Sequence, residues 1–573
     1  MWSLEGLLLF FAFVLVDALP PPSHLEKASL AARAPTRECR CLSSQPCWPS
    51  IKAWTAFNAT IDGALIQARP PGSPCHDPNY DAAQCDVVKA QWSNPYWRSA
   101  QPGGMIDASF EGVGGEQTCG IYANRTTPCG QGSVPVYIVN ATRASDIART
   151  IRFAAHRNLR VAVKNTGHDF DGKSMVRGSL GIWVHSMKSI RFHDAFMPTG
   201  GCQVAPKTAV TVGAGVQWGE LYKAADEKGL AVVGGQNPTV GAAGGYVQTG
   251  GHSALSPFKG LASDLALEFQ VVTAAGKELT VNQCQHTDLF WALRGGGGGT
   301  YGIVTSATFT TFPTPSQVLG IFNVTASSEK DQEAFLAELM RQMPRLSDDG
   351  WAGYIYVLGD FVGAFLNRAN GSVPDAQQSL RFLSNFTQTH PLVKIDQVVV
   401  GVPSFYEFFK LASNTPSAPP EGSPKPPPDV PVSISRLIPR TAFDTSPDRV
   451  AKALMEMKNP ATVYVLHLVA GGAVARFAAS HTAAHPGWRD ALLHVVAIFP
   501  NSRQPLSDVS GPRQAAYFNE ADASEPNWRD LFWGAHYERL LKIKTRWDPN
   551  GLFYCFRCVG SDRWQDDGNC RVR

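Results

Sequence analysis

Between residues 131 and 313 three glycine-rich turns interrupt strand-like segments: NTGHDFDG (165–172), GGQNPTVGAAGGYVQTGGHS (234–253) and RGGGGGTYGIV (294–304). A flexible linker mixes glycine with serine. These runs sit between strands instead, where a missing Cβ lets backbone N–H groups approach a phosphate. A nucleotide carrying a pyrophosphate is the ligand such turns suit, with purely structural turns as the alternative. A fourth run, VTVGAGVQWGE (210–220), tests for a Rossmann site. Its Gly213, Gly215 and Gly219 follow a strand and precede a helix, but the last gap is one residue too long. The next strand, LAVVGG (230–235), also ends without the acid that a ribose hydroxyl needs. The Rossmann reading fails.

The apolar periodicity around the turns sets the frame. VPVYIVNA (134–141) and LRVAVKN (159–165) read as strands. RASDIARTIRFAAHRN (143–158) between them places Ile147, Ile151 and Ala154–Ala155 at helical spacing, which makes a β-α-β unit. LGIWVHSM (180–187), TAVTVGAG (208–215) and LALEFQVVTAAG (265–276) read as strands, and WGELYKAADEKG (218–229) as a helix stopped by Gly229. Residues 287–313 read as a short helix, the glycine run and a strand. One α+β domain is therefore expected over 131–313. From 314 to 509, helices at 329–343 and 446–457 accompany strands at 353–367, 462–472 and 492–500, an antiparallel layer with helices on one face. Prolines bar TPSAPPEGSPKPPPDVP (415–431) from regular structure and make it a surface loop or lid. Residues 19–130, rich in cysteine and proline, are expected to be irregular and held by disulfides.

At 573 residues the chain exceeds what one core serves, so two or more domains are expected. A formal net charge of +3, with no basic footprint and no recognition motif, sets nucleic acid aside as a partner. LLLFFAFVLV (7–16) suits the apolar core of a signal peptide over 1–18, with cleavage near Val16–Asp17–Ala18. No Lys or Arg precedes it and Glu5 is acidic, while ten apolar residues are too few for a stable membrane span. Twelve cysteines, seven of them before residue 130, agree with export, as do sequons at Asn58, Asn124, Asn140, Asn323, Asn370 and Asn385. The expected location is the secretory pathway: secreted, or held in vesicles or a vacuole. Disulfide connectivity is not readable from sequence. CFRC (555–558) is expected to be a disulfide, because no second ligand pair stands at zinc spacing; no metal site is expected.

One imidazole, His168, stands between Gly167 and Asp169 in the first turn. Its chemistry leaves four roles open: a satisfied polar residue, a metal ligand, a proton shuttle or a covalent anchor. NTGHDFDGKS (165–174), NPTVGAAGGYVQTGGHSAL (237–255) and WALRGGGGGTYGIVT (291–305) in that order resemble the FAD-binding domain of the vanillyl-alcohol oxidase fold. NWRDLFWGAHYERLLKIKTRWDPNGLFY (527–554) resembles the closing segment of berberine bridge enzyme-like oxidases, and CRCLSSQPCWPS (39–50) is similar to the start of exported fungal members.

The resemblance implies an α+β fold: a two-part FAD-binding domain, supplied by 131–313 and a closing segment at 510–573, plus an antiparallel-sheet substrate domain with flanking helices at 314–509. It implies that His168 is joined to the flavin 8α-methyl, with the backbone of Lys164, Asn165, Thr166, Gly167 and Asp169 facing the pyrophosphate. Thr239, Val240, Gly241, Gly244, Gly245, Gly250, Gly251, Gly302, Ile303 and Val304 fall on the family's other FAD-binding positions, and His252 is expected to pack by the flavin. Many members carry a second link from a cysteine just before the PTVG turn. Asn237 stands there, which implies one covalent bond. The family's Y-x-N-Y-x-D run corresponds to YFNEAD (517–522), with Tyr517 and Asn519 kept and Glu520 in place of the expected tyrosine. Glu520 is a candidate base if burial raises its pKa, and Tyr517 a companion. His536 stands where relatives often have asparagine.

The expected activity is an oxidase that takes hydride from an alcohol or a secondary-metabolite intermediate, uses molecular oxygen and releases peroxide, acting as a monomer on a small-molecule substrate. A dehydrogenase of the same fold and a non-catalytic binding protein are the alternatives.

Overall fold

The computed structural model describes residues 39–112, 119–413, 433–522 and 524–572; the expected signal segment 1–18 and the Pro-rich loop 415–431 lie outside them. The first of three larger sheets has the order Leu65–Gln67, Tyr137–Asn140, Leu180–Trp183, Val161–Lys164, with the last three strands mutually parallel. Helix Ala144–Arg157 is the expected crossover, and Leu180–Trp183 inserts between the two strands it joins. The helix buries Ile147, Ile151 and Ala154 against Trp54 and Phe57 of helix Ile51–Thr60. The described part of the segment 19–130, residues 39–112 and 119–130, is thus less irregular than its composition implies. It supplies this helix and the edge strand Leu65–Gln67, because two aromatic residues three apart are enough to dock a ten-residue helix.

The second sheet is antiparallel, in the order Ile190–Phe196, Lys207–Gly213, Ile303–Thr310, Ala266–Val272, Glu278–Asn282. Residues 131–313 therefore hold two sheets that meet at the glycine turns.

The third sheet has seven antiparallel strands: Lys394–Val402, Gln317–Thr325, Phe361–Ala369, Trp351–Leu358, Val463–Leu468, Ala491–Ile498 and Ser433–Pro439. The run at 353–367, which reads as one strand in the sequence, is a hairpin bent at Gly359. Helices Glu329–Asp348 and Pro447–Met457 cover one face, where Tyr464, Leu466, Ile355, Leu493 and Val495 are buried. Side chains alternate along a strand, so Val465 and His467, Tyr354, and His494 turn the other way, toward the glycine-turn domain. That inner face forms one wall of the site.

All twelve cysteines pair: Cys39–Cys570, Cys41–Cys47, Cys75–Cys85, Cys119–Cys129, Cys202–Cys284 and Cys555–Cys558. CFRC is a disulfide, as its sequence context implies. Of the six sequons, Asn124, Asn370 and Asn385 are exposed, and Asn58 and Asn140 are half-buried. Asn323 lies in a strand on the inner face with its Oδ1 buried. Peptide mapping after enzymatic deglycosylation is expected to find glycans at Asn124, Asn370 and Asn385 and none at Asn323; an occupied Asn323 would contradict the placement of that strand.

Candidate active site

His168 sits in a turn at the end of strand Val161–Lys164. Gly167 takes φ +84, and a Cβ there would lie 3.1 Å from the Gly104 carbonyl oxygen and the Met105 Cα, so glycine is required. The Asp169 carboxylate closes the turn by accepting the backbone N–H of Lys173 at 2.7 Å and of Ser174 at 3.1 Å. Among the described residues nothing accepts the backbone N–H of Thr166, Gly167, His168 or Asp169. Four consecutive free N–H groups in a part-buried turn demand an acceptor and make a concavity for an anion. The Lys164 ammonium points elsewhere, to the Gln101 and Pro102 carbonyls, and burial lowers it to about 7.

The second turn packs on the first. A Cβ on Gly241 would fall 2.1 Å from Asn165 Nδ2, so only glycine permits this approach, and the Asn165 amide donates to the Ala214 carbonyl. Asn165 Oδ1 and Gln248 Oε1 are buried and unpartnered among the described residues. Gly245 lies against Gly298 of the third turn, and its carbonyl accepts from Asn519 Nδ2 at 3.2 Å. Gly244 lies within the π turn Ala242–Tyr246, and Gly250 and Gly251 lead from it into His252. Four of the expected positions also pack on the core. The Ile303 and Val304 side chains are buried among apolar residues, and Gly302 is pressed against Val271, so this stretch reaches a cofactor only through its backbone. Val240 likewise packs on the core, with its carbonyl accepting the Trp218 N–H at 3.0 Å.

His168 Nε2 lies 2.6 Å from Thr239 Oγ1, and Thr239 Oγ1 lies 3.0 Å from Asn237 Oδ1. Asn237 Oδ1 also accepts the Thr239 backbone N–H at 3.0 Å. A backbone N–H only donates, so that Asn237 atom is the carbonyl oxygen and must also receive the threonine hydroxyl proton. Thr239 Oγ1 therefore accepts from His168, whose proton is on Nε2, leaving the Nδ1 lone pair free. Burial pushes His168 down to about 3, so the ring is neutral.

The opposite wall joins His252 to the inner face of the third sheet. His467 and His494 are direct cross-strand partners, and Tyr354 opposes His467 on the next strand, so three side chains form one row. Their Nδ1 atoms lie 2.8 Å apart. Glu520 enters from the 3-10 turn Phe518–Glu520. Its Oε1 lies 3.1 Å from His252 Nε2, and its Oε2 lies 3.6 Å from His494 Nδ1 and 3.8 Å from His467 Nδ1. Burial alone would raise this carboxyl, but His252, which hydrogen-bonds it, outweighs burial and holds Glu520 below its ordinary value. The condition set for a base with a raised pKa is therefore not met; Glu520 is a carboxylate at neutral pH. Burial drives His467 and His494 well below the usual histidine range, so both are neutral.

Tyr517 packs on His252 with ring centroids 5.3 Å apart, and its Oη accepts from Asn519 Nδ2 at 2.9 Å. Burial raises its phenol, keeping it protonated. Trp488 closes the group, 5.7 Å from both His494 and Tyr517. His536 does not join it: the ring stands edge-on to Trp291 at 5.2 Å, against the backbone of Ala483 and Ala484. His467 and His494 belong to no motif; only the strand pairing reveals them.

Residues 135–282 match the family described as FAD binding domain, and 516–556 the family described as berberine and berberine like. A protein of Arthroderma benhamiae, named uncharacterized FAD-linked oxidoreductase, is 40% identical over 577 residues, spanning 93% of this chain and 96% of its own. FAD-linked oxidoreductase notD' of Aspergillus versicolor is 36% identical, spanning 94% and 90%. The VAO-type flavoprotein MtVAO615 of Myceliophthora thermophila C1 superimposes with a TM-score of 0.81 at 29% identity, covering 93% of this chain and all of that one. The residues present fit FAD: free N–H groups at 166–169 for an anionic pyrophosphate, and two buried amide oxygens, of Asn165 and Gln248, lacking a donor.

Proposed function

Because the chain belongs to the berberine bridge enzyme-like FAD-linked oxidoreductases of the vanillyl-alcohol oxidase fold, with FAD as its cofactor, we propose that it is an oxidase of a hydroxyl-bearing small molecule, an alcohol or a secondary-metabolite intermediate, with oxygen as final acceptor and peroxide as product. The observation that carries the reading is the ionised Glu520, held by His252 in a pocket walled by Tyr354, Trp488 and Tyr517. Bound FAD supplies the acceptor for the hydride that leaves the substrate carbon. The protein's own task is the proton. Glu520 takes it from the substrate hydroxyl, while the protonated Tyr517 phenol, fixed by Asn519, orients the same oxygen.

His168 Nδ1 carries the single bond to FAD in this reading, and Thr239 and Asn237 hold the ring in the tautomer that frees that atom. Thr239→Val removes the acceptor of His168 Nε2–H. We expect it to lower the fraction of flavin that stays with acid-precipitated protein severalfold, with Thr239→Ser restoring it. Equal retention in Thr239→Val and wild type would sink the tautomer argument. Six disulfides support an oxidising compartment, and among the described residues no helix is long and apolar enough to cross a membrane. We take the protein to be exported and to act as a monomer.

Oxygen uptake with a panel of alcohols and phenolic intermediates tests the activity. Uptake matched by peroxide supports the oxidase. Flavin bleaching by substrate without oxygen uptake identifies a dehydrogenase instead.

A further inference from the structure

We propose that His252, His467, His494 and Glu520 bind one divalent transition-metal ion, zinc being the ion their chemistry suits, on the substrate side of the flavin site. The proposal rests on the reading of this wall as the place where substrate meets the enzyme. One donor atom from each of the four side chains lies within 4.8 Å of the others, and among the described residues no other such group of three or more His, Cys, Asp or Glu occurs. A tetrahedral zinc with bonds near 2.0–2.1 Å places its donors about 3.4 Å apart. Taken through one oxygen, Glu520 Oε2, the separations are 2.8, 3.3, 3.6 and 3.8 Å, and the remaining pairs, from His252 to the other two imidazoles, lie within 4.8 Å. Closure onto one ion draws His252 in toward the other three donors. Imidazole nitrogen with one carboxylate oxygen is a zinc donor set rather than a calcium or magnesium one.

The donors are also prepared for a cation. His467 and His494 turn their Nδ1 atoms to the same point, 2.8 Å apart, because they oppose each other across two antiparallel strands. The far nitrogen of His494 bonds to Ser435 Oγ at 2.9 Å, the outer contact that fixes a metal-bound imidazole. Among the described residues the one hydrogen-bond donor to Glu520 is His252 Nε2, shared between its two oxygens at 3.1 and 3.3 Å. The other two imidazoles stand beyond hydrogen-bond reach of it. Among the described residues no Lys or Arg forms an ion pair with it. The carboxylate thus faces three imidazoles with most of its acceptor capacity unused.

The Glu520 side chain is 24% exposed, so the group opens on one side. An ion held there by three nitrogens and one Glu520 oxygen keeps a coordination position for a substrate hydroxyl. The second Glu520 oxygen then stands beside that hydroxyl as proton acceptor.

The test uses the full-length flavinylated protein, supplied with zinc, freed of unbound ion by gel filtration, and assayed for zinc and flavin per chain in one sample. About one zinc per chain is expected. Cobalt in its place is expected to give ligand-field bands in the visible spectrum. His467→Ala and His494→Ala are each expected to lose about tenfold or more of the retained metal at unchanged flavin content. Yellow protein with less than about a tenth of an ion per chain, or zinc kept by both variants, overturns the inference and leaves the oxidoreductase reading standing. Zinc-bound protein without flavin strikes at that reading instead. If the variants fail to fold, the zinc count and cobalt spectrum of the native protein decide alone.

Discussion

Glu520→Gln is expected to lower kcat by about 10²–10⁴-fold, the usual worth of a positioned proton acceptor, with FAD content and flavin absorbance unchanged. The amide keeps the shape and the contact to His252 but cannot take a proton. The pH profile gives a second readout. Glu520 is held below its ordinary value by His252, so its carboxylate is present throughout the neutral range. Activity is lost only as pH falls through that lowered pKa, and the acid limb should vanish from the residual rate of the glutamine variant. Loss of kcat with the limb intact would assign the proton to another group. Zinc counted in the same variant separates loss of the base from loss of a ligand, since an amide oxygen is a poor substitute for a carboxylate on that ion.

His168→Ala is expected to abolish covalent attachment. Acid-denatured wild-type protein should keep its yellow colour and flavin fluorescence on the polypeptide, and the variant should release all of it. Release from both would make the FAD dissociable and His168 a turn residue. Retention in both would move the anchor elsewhere and remove the meaning given to Asn237. The geometry favours the first result, because the His168 ring is neutral and its proton is committed to Thr239.

The glycine turns and His168 were legible because each depends on local backbone: a residue that must be glycine, next to one imidazole. Gly241 is an example, since its missing Cβ is what lets Asn165 approach. Tyr517, Asn519 and Glu520 were legible through their motif, though not the sign of the Glu520 shift, which depends on His252, 268 residues away in the sequence. The His467–His494 pair was not legible, because the two side chains meet only through the register of strands Val463–Leu468 and Ala491–Ile498. Strand Ser433–Pro439 was hidden for a related reason. Arg436 sits in its middle, and a buried charge argues against a strand until Glu525, 2.7 Å away, is seen to neutralise it. Strand Gln317–Thr325 carries Gly320, a residue strands disfavour, which here leaves room for the Trp351 ring. His536 shows the opposite failure: its motif position looked functional, but the fold turns the ring into packing against Trp291.

The Cys39–Cys570 bond joins points 531 residues apart. From residue 39 to residue 570 the protein is a covalent ring, and the ring cannot close until residue 570 has been made. The wall made by Tyr517, Asn519 and Glu520 comes from the same late segment. A fragment ending before residue 510 would carry the glycine turns and His168 yet lack Tyr517, Asn519 and Glu520, so closure of the ring and completion of that wall depend on the same stretch of chain.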